Sequence, residues 1–328
     1  MAAPVVSILM SVYNAAPYLD EALASLLRNQ TFTRVEVLAV DDASTDASLS
    51  ILKRWEASDS RLRVFCQPSN QGQGVARNIA LGQARGEFIT MVDADDWLSP
   101  DALQAAVDVF RHWPETDCVL FRLVLHWQES GREEAFPIDF SVPYLSGEEA
   151  FRRSLGWKIH GLCLVRRELH LRYPYDTHYR LYSDDNTCRL HYLHSREVRL
   201  CEGIYYWRRH KKSSTTQFSA DRFLHMMANL DLQRTLENES VAHDVVDAYE
   251  QIRWHNYLSL LWLRFARLRE LKEEERARVR EDFRQVYRSF HRSVPYALHV
   301  AGQWLRYRLR RLLARFSRQS LTHTSLFI

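Results

Sequence analysis

Three carboxylates within four positions, Asp93, Asp95 and Asp96, close the stretch Glu87-Phe-Ile-Thr-Met-Val-Asp93-Ala-Asp95-Asp96-Trp97. Grouped acids repel one another, and a fold tolerates them where something positive sits among them. A hard divalent cation, Mg2+ or Mn2+, meets that need. Mg2+ takes one or two protein carboxylates and completes its shell with water and phosphate oxygens, so a short Asp-x-Asp suffices when the bound molecule brings phosphates. The alternative left open by these residues alone is an acidic turn before a helix that begins at Ser99-Pro100, Ser being a good N-cap and Pro a good first helical residue. A second acidic pair, Asp184-Asp185, precedes the helical pattern Thr187-Cys-Arg-Leu-His-Tyr-Leu. It reads either as a candidate general base or as an ordinary N-cap pair. The helix N-terminus is expected to lower the pKa of such an acid and so limit its strength as a base.

These side chains need elements to position them. Residues 88–92 form an apolar, partly β-branched run too short for a helix, bounded by Gly86 and by the acids, and this predicts a buried strand. In an open α/β sheet, ligands sit beyond the carboxyl ends of the strands, where Asp93, Asp95 and Asp96 fall. Upstream, residues 5–12 form an apolar run ending in Tyr13-Asn14, and a helical pattern follows from Pro17 to Leu27. Residues 35–40 end in Asp41-Asp42, with Ser44-Thr45-Asp46 expected to cap a helix carrying Leu49, Ile51, Leu52 and Trp55. Leu62–Cys66 reads as a third strand, and Gly72-Gln-Gly74 precedes a helix over residues 75–83. Strands alternating with helices predict a parallel sheet with helices on both faces. With consecutive strands side by side, Asp41-Asp42 and the Asp93 cluster would line one cleft of a size for a nucleotide.

Downstream, the pattern predicts a helix over residues 99–112, a strand over 118–125, and a loop or hairpin over the cleft from 129 to 142. A capping box at Ser146-Gly-Glu-Glu149 starts a further helix, and residues 157–165 return the chain to the sheet. From Gln217 onward the pattern is helical. Trp254, Tyr257, Leu258, Leu261, Trp262 and Phe265 are expected on one packed face.

Composition bounds the classes open to the chain. With 46% hydrophobic and 26% charged residues over 328 positions it is globular material, and a formal net charge of +3 argues against a nucleic-acid binder. Five cysteines with no CxxC pair suggest reduced thiols in a cytosolic setting. The N-terminus lacks the positive region of a signal peptide, and no apolar run reaches the roughly 18 residues a membrane span needs.

Taken together, residues 7–14 (Ser-Ile-Leu-Met-Ser-Val-Tyr13-Asn14), Val40-Asp41-Asp42-Ala-Ser44-Thr45-Asp46, Asn70-Gln-Gly72 with Ala76-Arg77-Asn78, Gly86-Glu87-Phe88 and Val92-Asp93-Ala-Asp95-Asp96-Trp97 resemble the family 2 inverting glycosyltransferases of GT-A fold. The resemblance covers about the first hundred residues, with several motifs in order. It implies a nucleotide-sugar donor, most often a UDP-sugar. Ser11 and Tyr13 would then flank the base, Asp42 would hydrogen-bond it, Arg77 would lie near base and ribose, and Asp93 near the ribose. Asp95 would ligate the Mg2+ or Mn2+ that bridges the diphosphate. Asp184-Asp185 resembles the family's Glu-Asp motif, with Asp184 in the Glu position and Asp185, the expected base, in the Asp position. The aromatic-basic run from Ile204 to Thr215 is similar to the loop that closes such donor sites, where Arg208 and His210 would approach diphosphate and metal; a solvated basic turn is the other reading.

Competing motifs fare worse. Gly72 and Gly74 begin a dinucleotide fingerprint, but Arg77 stands where its third glycine belongs, and no P-loop pattern occurs. His191 and His194 form an H-x2-H without acid ligands at metal spacing and are read as ordinary helix residues. A sugar-nucleotide pyrophosphorylase, the alternative enzyme, would want a Gly-rich basic loop after the first strand, which residues 11–17 do not supply. A non-catalytic scaffold using the basic C-terminus is the alternative from another class. No acid follows Asp282, and apolar residues at helical spacing (Ala301, Trp304, Leu305, Leu309, Leu312) alternate with arginines, as in helices that lie in an anionic lipid surface; docking on the catalytic domain or on a partner is the other reading.

The expectation is thus an α/β GT-A domain over residues 1–216, with a nucleotide-sugar half over 1–100 and a catalytic and acceptor half over 101–216. A helical region over 217–328 follows. The chain would transfer sugar to a glycan or lipid-linked acceptor in polysaccharide or lipopolysaccharide synthesis, in the cytoplasm at the inner face of a membrane.

Overall fold

The computed structural model describes residues 3–179, 182–210, 218–291 and Gly302. Its contacts divide the chain into two compact units, Met1–Gln217 and Phe218–Ile328.

The first unit opens with β1 (Val6–Val12), α1 (Ala16–Leu27), β2 (Val35–Asp41), α2 (Ser48–Ser58), β3 (Leu62–Cys66), α3 (Gln73–Gln83) and β4 (Phe88–Met91). It continues through β5 (Trp97–Leu98), α4 (Ala102–His112), β6 (Thr116–Trp127), β7 (Arg132–Ala135), β8 (Leu145–Ser146) and α5 (Gly147–Leu155). β9 (Cys163–Arg166), α6 (Arg167–Arg172), α7 (Ser183–Leu193) and β10 (Glu197–Arg209) complete it. One sheet runs in the order β3-β2-β1-β4-β9-β6-β10-β5, with β7 added on β6 and β8 on β10. β3, β2, β1 and β4 are parallel, β9 is antiparallel to β4 and β6, and β10 is parallel to β6.

Every residue of β2 is buried, as expected of a strand covered on both faces. Fully burying an aliphatic side chain such as Ile8, Leu9, Val37 or Leu38 stabilises by roughly 1.5–3 kcal/mol. Glu36 in that strand accepts from the Ser7 hydroxyl at 2.7 Å and from Arg85 Nε and Nη2 at 2.9 and 2.6 Å. Burial works against its charged form, and these donors outweigh it, so its pKa lies below the usual value. Gly86 is where β4 begins beside β1, and a Cβ there would sit 2.6 Å from the Ser7 nitrogen.

Some local expectations are corrected. Consecutive strands do not all lie side by side: β1 separates β2 from β4, because α3 carries the chain from β3 back across β2 and β1. That reversal is a topological switch point, and both acidic strand ends still emerge on the same edge, flanking the end of β1. Ser44 and Thr45 do not cap α2. Ser44 Oγ accepts from Asn14 N at 3.1 Å and Thr45 N donates to Asn14 Oδ1 at 2.8 Å, lacing the loops after β1 and β2 together, while Asp46 accepts from Ser48 N at 2.9 Å. Ser99 does not cap α4 either; its hydroxyl donates to Asp101 at 2.8 Å and the helix starts at Ala102.

The second unit comprises α8 (Leu224–Asn238), α9 (His243–Arg267) and α10 (Glu273–Arg288). Trp254 and Tyr257 are buried in its core, Trp254 stacking on Phe290 at 3.8 Å and Tyr257 meeting Phe283 at 5.1 Å. Trp262 and Phe265 depart from the expected packed face, being 59% and 82% exposed. No helix among the described residues is long and apolar enough to cross a membrane. The expected basic C-terminal helix lies outside the described residues, as do Leu181 and residues 211–217.

Candidate active site

The edge where β1, β2 and β4 end gathers the first group of expected residues. Ser11 is half-buried near the end of β1 and Tyr13, just beyond it, is 49% exposed. Asp42 is 1% exposed, and its carboxylate accepts from Gln67 Nε2, Gln71 N and Gly72 N at 2.7, 2.8 and 2.8 Å. A carboxylate has about four acceptor sites, so Asp42, expected to face a base, already holds the loop that leads into α3. Gly72 takes φ of 95°, a conformation that only glycine adopts without cost.

Arg77 joins the two acidic elements. It lies on α3, 1% exposed, with Nη2 at 2.6 Å from Asp93 Oδ1 and Nη1 at 3.6 Å from Asp184 Oδ2. Burial alone would lower its pKa, but the two carboxylates prevail and its pKa is raised. The expected position of Arg77 beside base and ribose is therefore refined: its guanidinium sits beneath Asp93 and Asp184, binding them to each other. Asp93 is pushed up by burial, opposed by Arg77, and raised further by Asp95 and Asp184.

The turn after β4 is held from the far end of the sheet. Asp96 is 2% exposed and accepts from Tyr205 Oη and from Arg208 N, both at 2.8 Å, while Asp93 N donates to Tyr205 Oη at 3.2 Å. Burial first, then Asp95 and Asp93, raise the Asp96 pKa well above the usual range. Arg208, expected at the diphosphate, is instead a brace. It is 4% exposed, Nε donates to the Asp95 carbonyl at 2.7 Å, Nη2 to Glu21 at 2.6 Å and Nη1 to Gln128, with its guanidinium 4.4 Å from the Trp97 ring. His210, by contrast, reaches the acid assigned to metal: Nε2 lies 2.9 Å from Asp95 Oδ2, and its ring stacks on Tyr18 at 4.6 Å.

Oxygens of Asp93, Asp95 and Asp96 lie within 4.8 Å of one another. Both Asp96 oxygens already accept from protein donors, so within this group Asp93 and Asp95 are left to a cation, with His210 beside Asp95. Hard carboxylate oxygens are donors that Mn2+ or Mg2+ accepts, with substrate phosphates and water filling the remaining positions. The residues present therefore fit the expected ion.

Asp184 and Asp185 stand in the first turn of α7, behind Tyr182, which takes a left-handed φ of 72°. Asp184 Oδ1 accepts from Asp185 N at 3.1 Å. The expectation that the helix N-terminus lowers the acid's pKa is overturned for Asp185: burial, then the Asp184 charge, push it up to about 7 against a smaller pull from Arg189. Among the described residues five non-glycines take a positive φ, and three of them, Asn14, Ala43 and Tyr182, sit beside these acids or strand ends, where strain commonly marks function.

His191 Nε2 donates to the Tyr173 carbonyl at 2.9 Å and is buried, and His194 stacks on Tyr173 at 4.3 Å, so both belong to the packing of α7. Sequence reasoning missed Tyr18, Glu21 and Tyr205, whose only local signal is aromatic or acidic character in an element that reads as packing.

Solved structures share this architecture. Staphylococcus aureus TarS in complex with UDP-GlcNAc superposes with a TM-score of 0.64 at 20% identity, over 86% of this chain and 81% of that one. Mannosyltransferase PcManGT from Pyrobaculum calidifontis, in complex with GDP-Man and Mn2+, gives 0.54 at 18% identity over 93% and 88%. These likenesses show the GT-A fold. By sequence, the chain is 43% identical to an uncharacterized glycosyltransferase of Haemophilus influenzae over 101 residues, 31% of this chain and 40% of that protein. It is 40% identical to the putative glycosyltransferase EpsH of Bacillus subtilis over 136 residues, and spans 37% of that protein's length. With the acids, the switch point and the fold agreeing, the match of residues 7–172, about half of the 328, to the family's profile completes the assignment: the chain belongs to glycosyl transferase family 2.

Proposed function

We propose that this protein is a metal-dependent inverting glycosyltransferase that moves a sugar from a UDP-sugar to a hydroxyl of a glycan or lipid-linked acceptor in cell-surface polysaccharide synthesis. The observation that carries the reading is Arg77, which ties Asp93 of the β4 turn to Asp184 of the α7 N-terminus and so makes the two acidic elements one site. Solved relatives of the same fold with UDP-GlcNAc, or with GDP-Man and Mn2+, support a nucleotide-sugar donor and a cation.

In this reading Tyr13 offers a ring face for the base and Asp42 keeps one acceptor site for its N–H. Asp95, Asp93 and His210 would hold Mg2+ or Mn2+, which supplies charge neutralisation for the departing diphosphate. Asp185, with its pKa near 7, is matched to taking a proton at neutral pH. The acceptor oxygen attacks the anomeric carbon as its proton passes to Asp185. The bond from that carbon to the diphosphate oxygen breaks on the opposite face, inverting the centre and releasing UDP. Asp184, tied to Arg77, orients the pair rather than accepting the proton.

Incubation with a panel of UDP-sugars plus Mn2+ or Mg2+ tests the reading. Metal-dependent UDP release is expected, at least by slow donor hydrolysis; none with any donor overturns it.

A further inference from the structure

We infer that Tyr205 is a positioning residue of the cation site, a clasp that sets how tightly the β4 turn binds a divalent ion. The inference rests on the proposed reading of that turn as a metal site and adds a residue from β10, more than a hundred positions away along the chain.

The Tyr205 phenol is fully buried, and its hydroxyl meets both ends of one turn. It donates to Asp96 Oδ2 at 2.8 Å and accepts from Asp93 N at 3.2 Å, while Asp96 N donates to the Asp93 carbonyl at 3.1 Å across the same turn. Its backbone is fixed on two sides, antiparallel to Leu98 of β5 and parallel to Leu123 of β6. A buried hydroxyl in that place has no freedom to follow the turn if the turn moves. The consequence is a division of labour. Asp96, filled by Tyr205 Oη and Arg208 N, anchors the turn, which leaves Asp93 and Asp95 to offer oxygens to an ion, Asp95 with His210 beside it. Partners that orient metal ligands typically alter affinity by roughly 10- to 100-fold when removed. An unclasped turn must also be ordered by the ion itself, which weakens binding without changing a single ligand atom.

Mn2+ alone, titrated into the full chain and followed by the EPR signal of the free ion, tests this. Tyr205→Phe, which deletes only the hydroxyl, is expected to bind Mn2+ about tenfold more weakly than the unmodified chain. Tyr192→Phe, a control that deletes another buried phenol hydroxyl, bonded to the His160 carbonyl, should leave the affinity unchanged. Equal affinity in the unmodified chain and Tyr205→Phe overturns the clasp. So does an equal loss in Tyr192→Phe, which would mean general loosening. An unmodified chain that takes up no Mn2+ overturns the reading of the turn as a cation site, and the clasp with it.

Discussion

The two acidic elements that meet at Arg77 are built from the same residue and held in opposite ways. The Asp93–Asp96 turn is gripped by β10 and α1: Tyr205, Arg208 and His210 each bond it, and Glu21 and Tyr18 steady Arg208 and His210 in turn. The Asp184-Asp185 pair begins a helix behind one strained residue, and the contact tying it across to the other acids is the longer 3.6 Å pair with Arg77. Donors surround the first element and suit it to hold a positive ion in a fixed place. The second is short of compensating charge, and burial leaves Asp185 with a proton affinity near neutrality. Environment, more than residue identity, divides ligand from base.

The largest expected effect breaks the second element. Asp185→Asn should lower transfer about a thousandfold, within the range for loss of a general base, with donor affinity within about threefold. The unmodified enzyme sharpens the same point through pH. The base must be unprotonated, so kcat should rise about tenfold per pH unit below about 7 and level off above it. A flat profile from pH 5 to 8, or retained turnover in Asp185→Asn, removes Asp185 from the role.

Next in size is the bridge. Arg77→Met leaves Asp93 and Asp184 facing each other without a cation. It should cost about 3 kcal/mol in urea denaturation, the low end for breaking a buried pair because both carboxylates keep some solvent. Added Mn2+ should restore part of that loss, since the ion takes over the neutralising charge. A variant as stable as the unmodified chain would mean that the two elements do not depend on each other.

The smallest effect tests the redundancy of the first element. Glu21 is 58% exposed where it meets Arg208, so Glu21→Gln should cost less than about 1 kcal/mol and leave Mn2+ affinity unchanged. A loss comparable to that of Arg77→Met would show that the brace hangs on its outermost contact.

Much of this was legible in the chain itself. The runs before Tyr13, Asp41 and Asp93 announce strands whose ends carry polar groups, because a short apolar run bounded by turn residues is a local signal. The caps of α2 and α4 are less so: Ser44 and Thr45 have capping chemistry yet bond Asn14 of a neighbouring loop, and Ser99 bonds Asp101 two residues on. A basic run looks free in sequence, so Arg208 reads there as a phosphate ligand. Its real partners, Asp95, Glu21 and Gln128, lie between 80 and 187 positions away. Trp262 and Phe265 continue the spacing of a packed face, and only the arrangement of α8, α9 and α10 decides where that face ends.

By itself, then, the sequence determined the first four strands with the helices between them and the acids that stand at the strand ends, which follow from periodicity and turn chemistry over a few residues, while the family came from the resemblance of whole motifs in order. The tertiary structure alone decided that β4 lies across β1 from β2, that Asp96 is filled while Asp95 is met by His210, and that Asp185 titrates near neutrality. Those outcomes depend on desolvation and on charges carried in from distant segments, and neither quantity exists until the chain has folded.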